Sequence, residues 1–362
     1  MIYRGLTWDH PRGYNALAAA GGALIAWDKH PLEGFESHPI ADLCATYDLV
    51  VLDHPHVGEA VAADCLVPLE DLFDPAEIAA LGRAAIGPSL ASYRYAGKHW
   101  ALPLDAATQV MACRRDVTET PETWDALIAL AERMPVALSL AGPHAALSFQ
   151  SVCGALGAPR AGERFVDRAV GREAYAILVR LIGETTRACA AMNPITMLEA
   201  MAAGDGPALC PLIYGYVTYS AAGTIRYADA PHGPAGIGST LGGTGIAVSR
   251  RAEVTDDLRD HLRWLMADAT QRGFIPQHDG QPALRSAWTD PAVDAAAGGF
   301  YSATRATLEA ALLRPRHDRA IAFQTEASLL IRDGLLNENP ADAVLDAVEA
   351  SYTRHHAPGA ET

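Results

Sequence analysis

The stretch YRYAGKHWALPLDAATQVMACRRDV, residues 93–117, changes the grammar of the chain. YAGKHWALPL reads as a turn at Gly97-Lys98 between two extended pieces, and TQVMACRR as a further strand leading away from the region before it. TPETWDALIALAERM follows, where a Thr-Pro start, the early Glu122 and the spaced Trp124, Leu127, Ile128 and Leu130 specify a helix. A domain crossing near residue 107 is therefore expected.

Upstream, IYRGLTW is a candidate first strand, LAAAGGALIAWDKH a weak helix running into a strand over ALIAW, and YDLVVLD the clearest early strand. ADLC and DPAEIAALG carry helical signals on either side of it. This alternation implies an α/β layer with mostly parallel strands. Downstream, residues 172–192 and PITMLEAMAAGD read as helices, PALCPLIYGYVTYS as an extended segment, TIRYADAPHGPAG as a strand and loop, and GTGIAVSR as a strand. VTDDLRDHLRWLMADATQRGF has a helical period, and the last third is mostly helix until HHAPGAET, which should fray.

At 362 residues the chain exceeds what one core usually serves, which favours two domains. Its formal charge of -15, from 43 acidic against 28 basic residues without a long basic run, argues against nucleic acid as a partner. No apolar run reaches the roughly 18 residues of a membrane helix, so no membrane insertion is expected. MIYRGLTWD lacks the basic, apolar and cleavage regions of a signal peptide, so a cytoplasmic location is expected, a periplasmic one being the alternative if the start is trimmed or misassigned. Cys44, Cys65, Cys113, Cys153, Cys189 and Cys210 form no CxxC pair and read as buried free thiols in a reducing compartment.

The order of YDLVVLDHPHVG, CLVPLEDL, YAGKHWALPLDAATQVMACRRD, TPETWDALIALAER, MLEAMAAGDGPALCPLIYGYVTYS and GTGIAVSR resembles the family 1 extracellular solute-binding proteins, the maltose-binding-like group of the type II periplasmic-binding fold. YAGKHWALPL has the family's form Tyr-x-Gly-Lys-x-x-x-x-Pro. The resemblance spans about residues 1 to 350 and implies a two-lobed α/β fold with the ligand cleft between lobes. Lobe 1 would be 1–106 plus 245–297, and lobe 2 would be 107–244 plus 298–362. It also implies a non-catalytic, monomeric binding protein without cofactor, related to ABC transport or serving as a cytosolic carrier or sensor. Its partners would be a small-molecule ligand and an ABC transporter permease.

Asp-His-Pro occurs twice, in LTWDHPRGY (residues 6–14) and VVLDHPHVG (residues 50–58), each time where a strand should open into a loop. On the resemblance, Trp8, Asp9, His10, Arg12 and Gly13 match the first cleft loop, and Asp53, His54 and His56 the second. Asp105 and Thr108 lie at the crossing, Tyr214 and Tyr216 in the aromatic element of lobe 2, and Gly243 and Thr244 where the chain crosses back. Arg285 lies with Gln281 in a late loop that reaches the rim.

Each assignment has a rival: His10 and His54 could fix their loops, Trp8 could be core, and Arg12 could bridge to Asp9. Arg12 is the best anion candidate because a guanidinium grips a carboxylate bidentately, and with the two His-Pro loops it points to a compact organic anion. Sugar binding is the alternative, with Trp8, Trp100, Tyr214 and Tyr216 as aromatic faces. Zinc on His10, His54 and His56 with Asp9 or Asp53, iron on Tyr214 and Tyr216, and acid–base catalysis by His10 or His54 with an aspartate remain open. No GxSxG, GxGxxG or GxxxxGK motif is present.

Overall fold

The computed structural model describes residues 2–158, 162 and 164–356. Strands β1 (Tyr3–Trp8), β2 (Ile25–His30), β3 (Leu49–Leu52), β4 (Leu102–Arg114), β5 (Leu209–Tyr214), β6 (Ile225–Ala228) and β7 (Leu241–Val248) share one sheet. Its order is β2-β1-β3-β7-β4-β5, with β6 also paired to β4. The first three strands are parallel, Tyr3 opposite Ile25 and Gly5 opposite Leu49, and helices Pro11–Gly21 and Ile40–Thr46 connect them. Within the sheet β7, β5 and β6 pair with their neighbouring strands antiparallel, so the mostly parallel sheet expected from the alternation is confined to β1–β3. The reason is that β7 re-enters from the second lobe running against β3.

One strand organises the two lobes. The sequence suggested separate extended pieces around LPL and TQVMACRR, yet β4 is continuous for 13 residues and buried from Leu102 to Cys113. A strand covered on both faces carries an unbroken apolar run, which is how LPLDAATQVMAC reads once Asp105 and Gln109 find partners. Its first half, Leu102 to Thr108, pairs with β7, and its second half with β5 and β6. The register of β7 shifts at a bulge between Thr244 and Gly245. Next to it Gly243 has φ +86, and a Cβ there would overlap the Asp105 carbonyl oxygen, so the position requires glycine.

Local capping explains the helix starts. The first helix begins at Pro11, earlier than the LAAA expected, because His10 Nδ1 accepts the Arg12 N–H at 3.1 Å and Pro11 sits in the first turn. The long helix expected over 172–192 is two helices, Arg168–Val179 and Glu184–Cys189, with extended Gly183 capping the second. VTYS, expected to be extended, is helical in Val217–Ala221. The helix expected through TQRGF ends regularly at Leu265 and passes into a wider π turn at Thr270–Phe274.

In the second lobe, helices Ala320–Leu336 and Ala341–His355 pack on His144–Ala155 and Arg168–Val179. Phe165 and Phe323 meet edge to face at 4.9 Å, and Phe323 and Tyr352 at 5.2 Å. The expected fraying of HHAPGAET lies, from residue 357 on, outside the described residues. Among the described residues no helix is long and apolar enough to cross a membrane.

Gly58, in the helix that follows β3, lies flat against the chain at residues 316–317, where a Cβ would overlap the Arg316 carbonyl oxygen. Gly58→Ala should therefore destabilise by about 1–3 kcal/mol through overpacking, although alanine is the better helix former. Urea unfolding checks this, and an unchanged midpoint would mean the 316–317 segment is not seated there.

Candidate ligand-binding cleft

The carboxyl ends of β1, β3 and β5 converge on one space. Trp8 closes β1, Asp53 follows β3, and Tyr214 closes β5. With Arg12, Tyr216, Gly242, Gly243 and Thr244 they line a cavity of about 50 Å³ between the lobes. That volume has room for a few water molecules and none for a sugar ring.

Arg12 reaches this floor from the first turn of its helix and is buried. Its Nε donates to Asp105 Oδ2 at 2.7 Å, its second terminal nitrogen to Asp105 Oδ1, and its remaining one to the Gly215 carbonyl at 2.8 Å. The guanidinium also lies 4.8 Å from the Tyr216 ring centre and 5.5 Å from that of Trp8, as a cation between two π faces. Burial opposes its charge, but the Asp105 carboxylate outweighs it and raises the pKa. The expected anion anchor is thus corrected: the donors that would grip a ligand are already used within the protein. The rival bridge to Asp9 is not formed either, since Asp9 is on the surface with Lys29 at 2.7 Å.

A second ion pair completes the floor. Both oxygens of Asp53 accept from the Arg314 guanidinium, and Asp53 Oδ1 also accepts the His54 N–H at 2.8 Å. Arg314 donates further to the Leu241 carbonyl at 3.0 Å and to Gln324 Oε1 at 3.2 Å. Burial alone would push the Asp53 carboxyl up, yet Arg314 and the His54 contacts hold it well below the usual carboxylate range. His54 is fully buried behind it, its Nε2 accepting the Arg314 backbone N–H at 3.3 Å. Burial and the neighbouring Arg314 charge lower its imidazole to about 4.

The other expected residues stand outside the cavity. His10 stacks on Trp8 at 5.3 Å, and burial, reinforced by Arg12, lowers it to about 4. Gly13 lies under the Trp8 indole, His56 is buried toward Glu59 at 3.9 Å, and Thr108 bonds to Ser239 and the Thr240 carbonyl. Asp105 serves Arg12 from behind, and Arg285 is an exposed partner of Glu309. Gln281 is a buried strut, donating to the Ala106 carbonyl at 2.7 Å and accepting the Val217 N–H at 3.1 Å.

These placements break up the expected zinc set, because His10, His54 and His56 face different neighbours; His54 Nδ1 does lie 3.2 Å from Asp53 Oδ1, but Arg314 engages both oxygens of that carboxylate. Among the described residues no group of three or more His, Cys, Asp or Glu is arranged to hold a metal. Burial raises both tyrosine phenols, which disfavours a tyrosinate pair.

Sequence reasoning missed Phe35, Glu36 and His144, which also line the cavity. Helix Leu32–Ser37 begins just past the end of β2, the same position that made LTWDHP a candidate, so the signal was available at WDKHPLEGFE. His144 opens a helix after Gly-Pro, with no motif to mark it. Its Nε2 lies 3.4 Å from Glu36 Oε1 across the cleft, its ring is 5.8 Å from that of Tyr214, and neither of its nitrogens makes a hydrogen bond.

Solved structures of the same architecture cover nearly the whole chain. An ABC transporter solute-binding protein of Agrobacterium radiobacter K84 in complex with ribitol superimposes with TM-score 0.79 at 19% identity, covering 98% of each chain. The GacH receptor of Streptomyces glaucescens GLA.O, solved unliganded and with acarbose, gives 0.78 at 17% identity, covering 98% of this chain and 97% of that one. A solute-binding protein of Agrobacterium vitis S4 with bound D-mannitol gives 0.73 at 14% identity, covering 98% and 97%. Among curated proteins none matches the chain. A family profile described as bacterial extracellular solute-binding protein matches residues 40–298. That extracellular family overturns the cytoplasmic location expected from the opening residues, and with it the cytosolic carrier or sensor. Two α/β lobes, a cleft at the strand ends and a profile matching well over half the sequence agree: the chain belongs to the bacterial extracellular solute-binding proteins, non-catalytic binders of the ABC-transport type.

Proposed function

We propose that the cleft closes on a small, uncharged, polyhydroxylated solute of sugar or sugar-alcohol size, which the protein hands as a monomer to an ABC permease. The observation that carries this reading is the pairing of both floor cations: Arg12 is neutralised by Asp105 and Arg314 by Asp53. An organic anion entering here would meet the further carboxylate of Glu36 and no unpaired guanidinium. Hydroxyl groups suit the site better, since they donate to Glu36 and bond to the unsatisfied nitrogens of His144. Trp8, Phe35, Tyr214 and Tyr216 supply apolar faces for the C–H surface of such a molecule. The ribitol, D-mannitol and acarbose complexes of the similar structures support the same class.

The lobes divide, on this reading, at the middle of β4 and at the β7 bulge, with 1–106 plus 245–297 on one side and 107–244 plus 298–362 on the other. Helix Leu32–Ser37 meets the far lobe through Glu33, whose Oε1 accepts from Asn193 at 2.9 Å, and through Glu36 beside His144. These rim contacts must open to admit a solute larger than the present cavity, so binding is a shift between closed and open populations.

Calorimetry against pentitols, hexitols, mono- and disaccharides and a matched set of dicarboxylates tests the reading. A polyhydroxy compound should bind, and Glu36→Gln should weaken it by about 1–2 kcal/mol, or roughly tenfold. Tight binding of a dicarboxylate with no response to any polyol or sugar would overturn it.

A further inference from the structure

Location outside the cytoplasm changes what the cysteines can do. Cys44 lies in helix Ile40–Thr46, and Cys65 follows helix Val57–Ala62. The two helices are tied together where Glu59 accepts the Ile40 N–H at 3.1 Å, and both cysteines pack into the same small cluster with Val57 and Ala60. There Cys65 is the more exposed of the two and donates to the Ala60 carbonyl at 3.5 Å, while Cys44 is buried in the same cluster. Cys113, Cys153, Cys189 and Cys210 are buried.

We propose that Cys44 and Cys65 are a disulfide site, closed by exchange with an oxidising protein disulfide of the extracytoplasmic compartment. The inference rests on the family's extracellular location and on this juxtaposition, and not on the identity of the solute.

The chemistry assigns different parts to the two residues. Cys65, the more exposed thiol and the one whose pKa the neighbouring Cys44 lowers, loses its proton first, and its thiolate attacks the oxidant's disulfide. One oxidant sulfur leaves as thiolate, giving a mixed disulfide. Cys44 then gives up its proton to solvent and attacks the Cys65 sulfur, expelling the second oxidant sulfur. Two protons and two electrons pass in total, so the protein leaves with one disulfide and the oxidant as a dithiol. Burial raises the thiols of Cys113 to about 11 and Cys210 to about 12, and it also raises those of Cys153 and Cys189. These four remain thiols in the same reaction.

The closed loop would hold β3 and the turn from Asp53 to His56, the segment that delivers the Asp53 carboxylate to Arg314. The bond therefore fixes one wall of the cleft floor to the helices beneath it.

The test uses the purified full chain in a buffer of oxidised and reduced glutathione, quenched with N-ethylmaleimide under unfolding conditions. The intact mass before labelling should fall by about 2 Da, for the two hydrogens lost, and four of the six cysteines should take label. A non-reduced digest should yield one linked peptide joining Cys44 to Cys65. Reduction should lower the melting temperature of the wild type by about 5–10 °C and leave Cys44→Ser/Cys65→Ser unchanged. Full labelling of all six thiols, a bond to any other cysteine, or glutathione retained on Cys65 unresolved by Cys44 would each overturn the proposal. The mass readouts decide it even where the double variant fails to fold.

Discussion

Arg12→Ala should lower the unfolding free energy by about 3–5 kcal/mol, because it strands a buried carboxylate. In the wild type Asp105 sits in the middle of β4, buried on both faces, and Arg12 satisfies both of its oxygens. Without the guanidinium, Asp105 keeps only the burial that already raises its pKa and must take up a proton or stay charged in an apolar wall, the Gly215 carbonyl loses its donor, and Trp8 and Tyr216 lose the cation between them. Urea unfolding measures the loss. Arg12→Lys should recover little, since an ammonium cannot bridge two carboxylate oxygens and a carbonyl in the same plane, whereas Arg12→Met combined with Asp105→Leu should recover most. A single alanine variant as stable as the wild type would show that the pair is not buried. The sequence alone suggested a different role for Arg12, a grip on an anionic ligand.

Arg314→Ala should be of similar size, about 3–5 kcal/mol near neutral pH, for the same physical reason. Here the sign of the pH dependence adds a check. Asp53 has a depressed pKa in the folded chain, so its contribution is fully present above the unfolded carboxylate value near 4 and is lost as pH falls through the folded value. In the variant the arginine is gone and burial is opposed only by the His54 contacts, which favours the protonated acid. The gap between wild type and variant should thus be widest near neutrality and narrow below about pH 4. Unfolding curves from pH 3 to 7 measure it, and a gap independent of pH would remove Asp53 from the account.

Local signals were the legible ones. Gly97 takes φ +79 at the turn read from Ala-Gly-Lys, and Arg94–Tyr95 pairs with Lys98–His99 around it. Trp8, Asp53, Tyr214 and Tyr216 could be brought together in advance because each ends or follows an apolar run, where an α/β strand opens toward a cleft. The partners of those residues were not legible. Arg12 finds Asp105 93 residues away and Asp53 finds Arg314 261 residues away, and no periodicity connects such pairs. An arginine in a candidate loop therefore read as an unoccupied anion grip, and the ligand class inferred from it lost that support once the guanidinium proved paired. Glu36 and His144 escaped for a related reason: their meaning lies in facing each other across the cleft.

The continuity of β4 has a mechanical consequence. If the lobes divide at the middle of β4 as proposed, its two halves are hydrogen-bonded to different lobes and the strand would act as a fulcrum, with the bulge beside Gly243 next to it. A small extra twist there would carry the distant rims apart while both ladders stay intact. On that geometry the floor ion pairs, on Asp105 of β4 and on Asp53 beside it, would move less than the rim, and the work of opening would fall on the rim contacts at the far end of the lever arms.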